Sequence, residues 1–423
     1  MLAIDSPPRS LSDLGIGRGL LSGLVLRHLA AAGTLSGAEL QERLGVPLEL
    51  LEPVLADHIH QHFVERKGYS DDPRLQHRPL EERFNHQITS AGRKRALEVA
   101  TVTTHYLGPC PIGIVDALEL LRSQAAETSV TGEGVAHALD ELELEGDLIE
   151  KIGIAMSSRA SVFLYGPPGN GKSTIARSMA QLLGEPIVVP YAVAVGDDVV
   201  RFLDPIYHRP AEGKAPVDRR LALVTRPLVR AGGELQLSQL ELSYDRRGRY
   251  YEASLQWKAS GGVLVIDDFG RQVHSPTLLL NRFIVPMEEG IDYLDLSASG
   301  KKIEVPFTCQ VVFSTNLAPQ DLVDEAFLRR IAHKILVPDP TRAAYRRIFE
   351  RECARRGIAV PDGAIDYVLE LYGDQPLRGS HPKALVAHLV YRAGYQGEEP
   401  RLQPDTLRAA FDTYLNPAFS GRR

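Results

Sequence analysis

The sequence predicts an α/β core, a parallel sheet flanked by helices, with a smaller α+β unit before it and a helical unit after it. Three observations carry this expectation. An apolar run, Ser161-Val162-Phe163-Leu164-Tyr165, passes through a glycine-rich loop into Ile175 to Leu183, which has helical apolar spacing. A second run, Gly261-Gly262-Val263-Leu264-Val265-Ile266, ends in Asp267-Asp268, and a third, Val311-Val312-Phe313-Ser314-Thr315, ends in Asn316. After the turn Pro338-Asp339-Pro340, helical periodicity dominates to the end of the chain. Apolar strands that alternate with helices belong to a parallel sheet covered on both faces.

The loop itself is the most specific feature. Gly166-Pro167-Pro168-Gly169-Asn170-Gly171-Lys172-Ser173-Thr174 fits G-x-x-x-x-G-K-[ST], and it sits between a strand and a helix, as a phosphate-binding loop must. Glycines let backbone N–H groups wrap phosphate oxygens, and the following helix adds a partial positive charge. Lys172 is expected to reach the β- and γ-phosphates, and the Ser173 hydroxyl to ligate Mg²⁺.

The second run supplies the complementary charges. A strand's carboxyl end beside the phosphate loop is where a parallel sheet places catalytic groups. Asp267 is expected to hold Mg²⁺, directly or through water, and Asp268 to polarise the attacking water. Asn316, at the tip of the third strand, is placed to orient the same water. Glu325-Ala326-Phe327-Leu328-Arg329-Arg330 then brings two adjacent arginines to a helix end.

The order of phosphate loop, acidic strand, Asn-tipped strand, Arg pair and helical lid resembles the AAA+ ATPases over about residues 140–400. Leu278 to Gly290 is similar to the helix after the acidic strand in the MoxR-like branch. Tyr293-Leu294-Asp295-Leu296, a Ser297-Ala298-Ser299-Gly300 turn and Lys302-Ile303-Glu304-Val305 match the β-hairpin of that branch. The stretch Asp267-Asp268-Phe269-Gly270-Arg271-Gln272 resembles a group of bacterial AAA+ proteins. The resemblance implies ATP as the nucleotide and Mg²⁺ as its metal. It implies Arg330 or Arg329 as a finger acting on a neighbour's γ-phosphate, hence a homo-oligomeric ring, with a hexamer favoured. It also implies a basic lid residue at the site, Lys383 or Arg378, with Lys383 preferred from the start of the lid helix. Most AAA+ ATPases carry Glu where this chain has Asp268. Asp is one methylene shorter, setting the carboxylate back by about 1.5 Å, and a misplacement of about 1 Å can cost on the order of 100-fold in rate.

Residues 1–105 are expected to form a winged-helix-like α+β domain. Leu20 to Ala32, Gly37 to Leu44 (N-capped by Ser36) and Leu48 to Phe63 read as helices, Arg66 to Glu82 as a polar loop, and Arg83 to Ile88 as a strand. Thr89-Ser90-Ala91-Gly92-Arg93 resembles the wing-end segment of winged-helix transcription factors. This unit holds 12 Lys and Arg against 13 Asp and Glu, a net of −1, and its third helix carries Glu49, Glu52 and Asp57. Phosphate neutralisation needs the opposite balance, so a protein-docking role is expected and DNA binding is possible but not favoured. His58 and His62 at i, i+4 invite a metal reading, although a packed or solvated helix face is the simpler one. Residues 106–150 read as a helical connector whose carboxylates, Asp140, Glu141, Glu143, Glu145 and Asp147, line a solvated helix face. Residues 151–338 read as the nucleotide-binding core and 339–423 as the lid. Within the core, residues 190–258 include a hairpin around Arg247-Gly248. The resemblance to AAA+ rings makes its aromatics, Tyr244, Tyr250 and Tyr251, candidates to grip a polymer at the pore, and a structural hairpin stacking on the next subunit is an equal reading.

Three cysteines fit neither a disulfide framework nor a C-x-x-C site. There is no long apolar run for a membrane span, so no membrane insertion is expected, and the start of the chain lacks a signal-peptide pattern. A cytoplasmic location is expected. The functional expectation is an ATP-hydrolysing AAA+ protein that assembles into a ring and remodels or assembles a protein partner. The partner would be engaged through the N-terminal unit or the pore. The alternative is a nucleotide-switched DNA-binding regulator.

Overall fold

A computed structural model describes residues 6–125, 130–322 and 325–414. Its centre is a five-stranded, all-parallel sheet in the spatial order Leu228–Ala231, Val263–Ile266, Gln310–Thr315, Val162–Tyr165, His333–Leu336. Side chains alternate across this sheet with a period of two. Val162, Leu164, Val263, Val265 and Val312 face one way, onto the helices Gly146–Ser158 and Lys172–Gln181. Phe163, Leu264, Ile266, Val311 and Phe313 face the other way, onto Pro276–Glu289. Both faces are therefore covered, which is why these strands are apolar throughout. The expected hairpin after that helix is present as Ile291–Leu296 paired with Lys301–Pro306.

A second five-stranded sheet takes four strands from the region between the helix Lys172–Gln181 and the acidic strand, and its fifth, Ile112–Gly113, from the connector. Its order is Ser243–Asp245, Tyr250–Glu252, Asp198–Arg201, Ala192–Val195 and Ile112–Gly113. The expected hairpin is thus one edge of this sheet. Tyr251 is fully buried in it, stacking near Tyr244, so Tyr251 is a core residue and not a gripping aromatic. His208 shows how tightly this region is packed. Its Nδ1 accepts from the Asp204 N–H at 2.9 Å and its Nε2 donates to the Lys258 carbonyl at 2.9 Å. Both nitrogens are thereby committed in the neutral ring.

The N-terminal unit packs the helices Arg18–Ala32, Gly37–Leu44, Leu48–His60 and Ser90–Val102 around an antiparallel sheet of order Thr34–Ser36, Phe84–Ile88, Val64–Tyr69. Ser36 caps its helix in a full capping box with Glu39. Arg66, expected in a loop, lies within the strand Val64–Tyr69. The third helix ends at His60, and His62 has φ +58°, so His58 and His62 do not share a helix face. His58 is buried against Ser22, and among the described residues no cluster of three or more His, Cys, Asp or Glu is arranged to hold a metal ion. The apolar core of this unit runs on into Ala192, Ala194, Val199 and Tyr250 of the second sheet. Arg220, paired with Asp218 at 2.7 Å and buried, also donates to the Leu14 carbonyl at 2.9 Å.

The C-terminal unit packs Arg342–Arg355, Ala364–Tyr372, His381–Gln396 and Pro404–Tyr414 about Tyr345, Phe349, Leu385 and Phe411. Among the described residues no helix is long and apolar enough to cross a membrane.

Burial holds the His208 pKa down at about 4, against the opposing pull of its bond to Lys258 and the nearby Asp204. The unfolded ring titrates near 6.5. The group's contribution to stability is therefore complete above pH 6.5 and is lost as pH falls from 6.5 to 4, with a ceiling on the order of 3 kcal/mol. Thermal melts across that window should show a falling Tm. His208→Gln, which keeps an acceptor and a donor but cannot titrate there, should show a flatter decline.

Candidate functional site

The phosphate loop leaves the strand Val162–Tyr165 and feeds the helix Lys172–Gln181. Its glycines are required by position. Gly166, Gly169 and Gly171 have φ of +134°, +83° and +86°. A Cβ at Gly166 would run into the Val337 carbonyl, and one at Gly169 into the Ser380 side chain of the lid. Gly171 precedes the helix, and no side chain caps the helix start, so its first N–H groups are available to an anion. Lys172 is buried and donates from Nζ to the carbonyls of Gly166 and Pro167, both at 2.8 Å. Burial lowers its pKa, with Asp267 and Asp268 opposing the shift.

The sheet brings the acidic turn directly to this loop. Ser173 Oγ donates to Asp267 Oδ1 at 3.1 Å, across 94 residues of chain. A hydroxyl and a carboxylate in contact at a phosphate loop are a hard-oxygen donor set suited to Mg²⁺. The same Oδ1 accepts the Asp268 N–H at 3.1 Å. Asp268 is exposed and adopts φ +49°, a left-handed conformation uncommon outside glycine.

A cleft of about 850 Å³ opens over these groups, large enough for a nucleotide. Of the expected site residues, Pro168 through Thr174, Asp267, Asp268, Asn316 and Lys383 line it together. Gly166 and Pro167 support it through their carbonyls. Arg378 does not line the cleft. Its NH1 bonds Asp339 Oδ1, the oxygen that also accepts from Asn170 Nδ2 at 2.7 Å. Asn170 Oδ1 in turn accepts from the Gly379 N–H at 3.0 Å. The loop tip is thus fastened to the lid, and Arg378 is consumed in the fastening while Lys383 faces the cleft. Arg329 and Arg330 also lie outside the cleft lining of their own chain. Arg329 pairs with Glu325 at 2.8 Å and Arg330 with Glu288 at 2.6 Å, both at the surface.

The connector departs from expectation. Its described helices are Ile114–Ala125, Gly132–Ala138 and Gly146–Ser158, the last running on into the core, and residues 139–145 between the second and third form a non-helical strap. The carboxylates on the strap are not a solvated helix face. Arg347, Arg351 and Arg355, one turn apart along the first lid helix, take hold of Glu143 and Glu141, while Glu145 is exposed and Asp147, on the helix that follows, is an exposed partner of Lys151 as expected of a solvated face. Glu143 pairs with Arg347 at 2.6 Å and with Arg351 at 2.5 Å, Glu141 pairs with Arg355 at 2.9 Å, and Arg351 also donates to the Asp140 carbonyl. Leu142 and Leu144 of the strap, with Leu148 and Ile348, line the cleft as an apolar wall. In the sequence, the leucines alternating with glutamates, Glu141-Leu142-Glu143-Leu144-Glu145, were the available signal: such alternation suits an extended segment with two unlike faces.

Residues 161–331 match the AAA domain of the dynein-related subfamily, and residues 341–413 match a domain of unknown function, DUF8689. No curated protein matches the chain significantly. Among solved structures it is similar to the Thermotoga maritima RuvB Holliday junction branch migration motor, at 15% identity and a TM-score of 0.37, covering 64% of this chain and 69% of that one. It is also similar to NtrX from Brucella abortus in complex with ATP, at 14% identity and a TM-score of 0.42, covering 77% of this chain and 64% of that one. Both likenesses are distant. The domain match and the strand order together give the core the AAA+ P-loop fold, and an AAA domain is a nucleotide-binding module.

Glu143 is only 12% exposed and serves two arginines, so it is the keystone of the strap. Charge-assisted bonds of this kind are worth about 1.5–3 kcal/mol. Glu143→Gln should weaken binding of a fluorescent nucleotide about tenfold. An unchanged Kd would show that the strap is not part of the nucleotide wall.

Proposed function

We propose that this chain binds ATP with Mg²⁺ and hydrolyses it, working as a ring of identical subunits that remodels or assembles a protein partner. The observation that carries the reading is the convergence of the loop Gly166–Thr174, the Ser173–Asp267 contact, Asp268, Asn316 and Lys383 on one cleft. In this reading the loop N–H groups and Lys172 bind the β- and γ-phosphates, and Lys383 adds a lid charge. Ser173 and Asp267 would hold Mg²⁺, which supplies charge neutralisation on the phosphates when bound. Asp268 accepts a proton from the attacking water, and Asn316 orients that water by hydrogen bonding. Adenine specificity is proposed from the resemblance to AAA+ ATPases alone, and MoxR-like rather than other AAA+ ancestry from the helix and hairpin after the acidic strand.

Catalysis by Arg330, or by Arg329 beside it, is assigned to the neighbouring subunit's site. Both side chains are at the surface and outside their own cleft, which suits action in trans. A hexamer is the favoured ring. The four-unit division at 105, 150 and 338 is proposed with one qualification: the N-terminal unit is braced against the second sheet through a shared apolar core. A winged-helix-like unit held this way suits a fixed docking platform for protein. Its net charge of −1 and the acidic third helix, where Asp57 is paired with Arg18, weigh against a DNA-reading role.

The reading is tested by Mg²⁺-dependent ATPase activity per subunit against protein concentration. Turnover should rise with concentration and vanish in Lys172→Ala. Asp268→Asn should bind ATP normally and fail to hydrolyse it. Inactive Arg330→Ala mixed with inactive Lys172→Ala should recover part of the activity, since mixed interfaces then pair an intact loop with an intact finger. Normal turnover in Lys172→Ala would remove the loop from the mechanism, and absence of recovery on mixing would argue against shared sites.

A further inference from the structure

Asp268 poses a problem that the neighbouring residues answer. Its side chain is a methylene short for the role proposed above, and its backbone holds a left-handed φ of +49°. Such a conformation persists only where the surroundings over-determine it. Two sets of contacts do so here. Phe269 is an anchor: its ring is buried against Phe163 and Phe313, with centroids 5.9 and 5.1 Å away. Its N–H donates to the Ser314 carbonyl at 2.7 Å, and its own carbonyl accepts from Thr315 Oγ1 at 2.8 Å. The residue after Asp268 is thereby locked to the Asn316-tipped strand.

The second set belongs to Gln272. Its Nε2 donates to the Asp267 carbonyl at 3.0 Å and reaches the carbonyls of Asp268 and Gly232 at 3.3 Å. Its Oε1 accepts the Gly270 N–H at 2.9 Å. One amide group therefore satisfies polar atoms on both sides of the strained residue and ties the turn to the end of the adjacent strand Leu228–Ala231. The Arg271 N–H also donates to the Asp268 carbonyl, at 3.0 Å, closing the turn from within. Asp267, the partner of Ser173, shares the same clasp through its carbonyl.

We infer that Gln272 is a positioning residue: it holds the Asp267-Asp268 turn in the left-handed geometry that delivers the short Asp268 carboxylate to the cleft. The assignment rests on Asp268 being the water-activating group. Gln272 does not line the cleft and makes no contact with nucleotide in this scheme. It acts on the backbone of the Asp267-Asp268 turn and not on the phosphate loop, so its main effect is on the rate and not on nucleotide binding.

The test uses the full chain with Gln272→Met, which keeps the length and loses all polar contacts, and Gln272→Glu, which keeps the acceptor for Gly270 and loses the donor. Both should lower kcat about 10- to 100-fold. The Kd for ATP should stay within about 3-fold, and the Tm within about 2 °C. A crystal structure of Gln272→Met should show Asp268 out of the left-handed region. Turnover within about 2-fold of wild type, or Asp268 retained near φ +49°, would each overturn the inference. A wild-type protein without hydrolytic activity would sink the functional reading itself. In that event the backbone of Asp268 in Gln272→Met still decides the positioning claim.

Discussion

Parallel pairing of Val162–Tyr165, Gln310–Thr315 and Val263–Ile266 sets every distance in the cleft. Phe163 lies beside Phe313, and Phe313 beside Ile266; Val162–Tyr165 and Gln310–Thr315 finish together and Val263–Ile266 two residues earlier, so all three end within two residues of one level. From that level the phosphate loop, Asn316 and the Asp267-Asp268 turn emerge side by side. A shift of one residue in either ladder would turn the strands' side chains to the opposite face and separate Ser173 from Asp267. The aromatic cluster of Phe163, Phe269, Phe283 and Phe313 beneath the turn guards against such a shift, because its rings interlock across the sheet and its covering helix.

The cleft is closed by elements remote in sequence. The lid reaches the loop through Asn170, Asp339, Arg378 and Gly379, and reaches the connector through three arginines on one helix face. A nucleotide in this cleft would touch sheet, strap and lid at once. The lid is therefore joined to the phosphate loop and to the strap that carries Leu142 and Leu144 by charged and polar contacts, not by packing alone. Charged contacts at a partly exposed cleft rearrange at modest cost, which suits surfaces that must part and rejoin.

The second sheet gives the N-terminal unit a base. Ala192, Ala194 and Val199 belong to the same apolar core as Leu24 and Leu51, and the buried Asp218–Arg220 pair reaches back to Leu14. Both units thus share one cohesive body. That sheet in turn adjoins the hairpin Ile291–Leu296 and Lys301–Pro306 through the apolar cluster of Leu294, Leu296 and Ile303.

The local parts of the site are legible in the chain alone. Strand, loop and helix around Lys172 are contiguous, and their glycines announce backbone conformations that other residues resist, so the phosphate loop was legible to the residue. Asp267 and Asn316 were legible because an apolar run ending in a polar residue marks a strand's carboxyl end. Only the tertiary structure decided what depends on partners far along the chain. Glu143 meets Arg347 and Arg351 some two hundred residues away, which turned an expected solvated helix into a clamped strap. Asp339 captured Arg378 and left Lys383 to the cleft. The left-handed Asp268 and the clasp of Gln272 arise where a turn is squeezed between two strands and an anchored aromatic ring. Composition and periodicity record which residues are buried, but not which distant groups they meet.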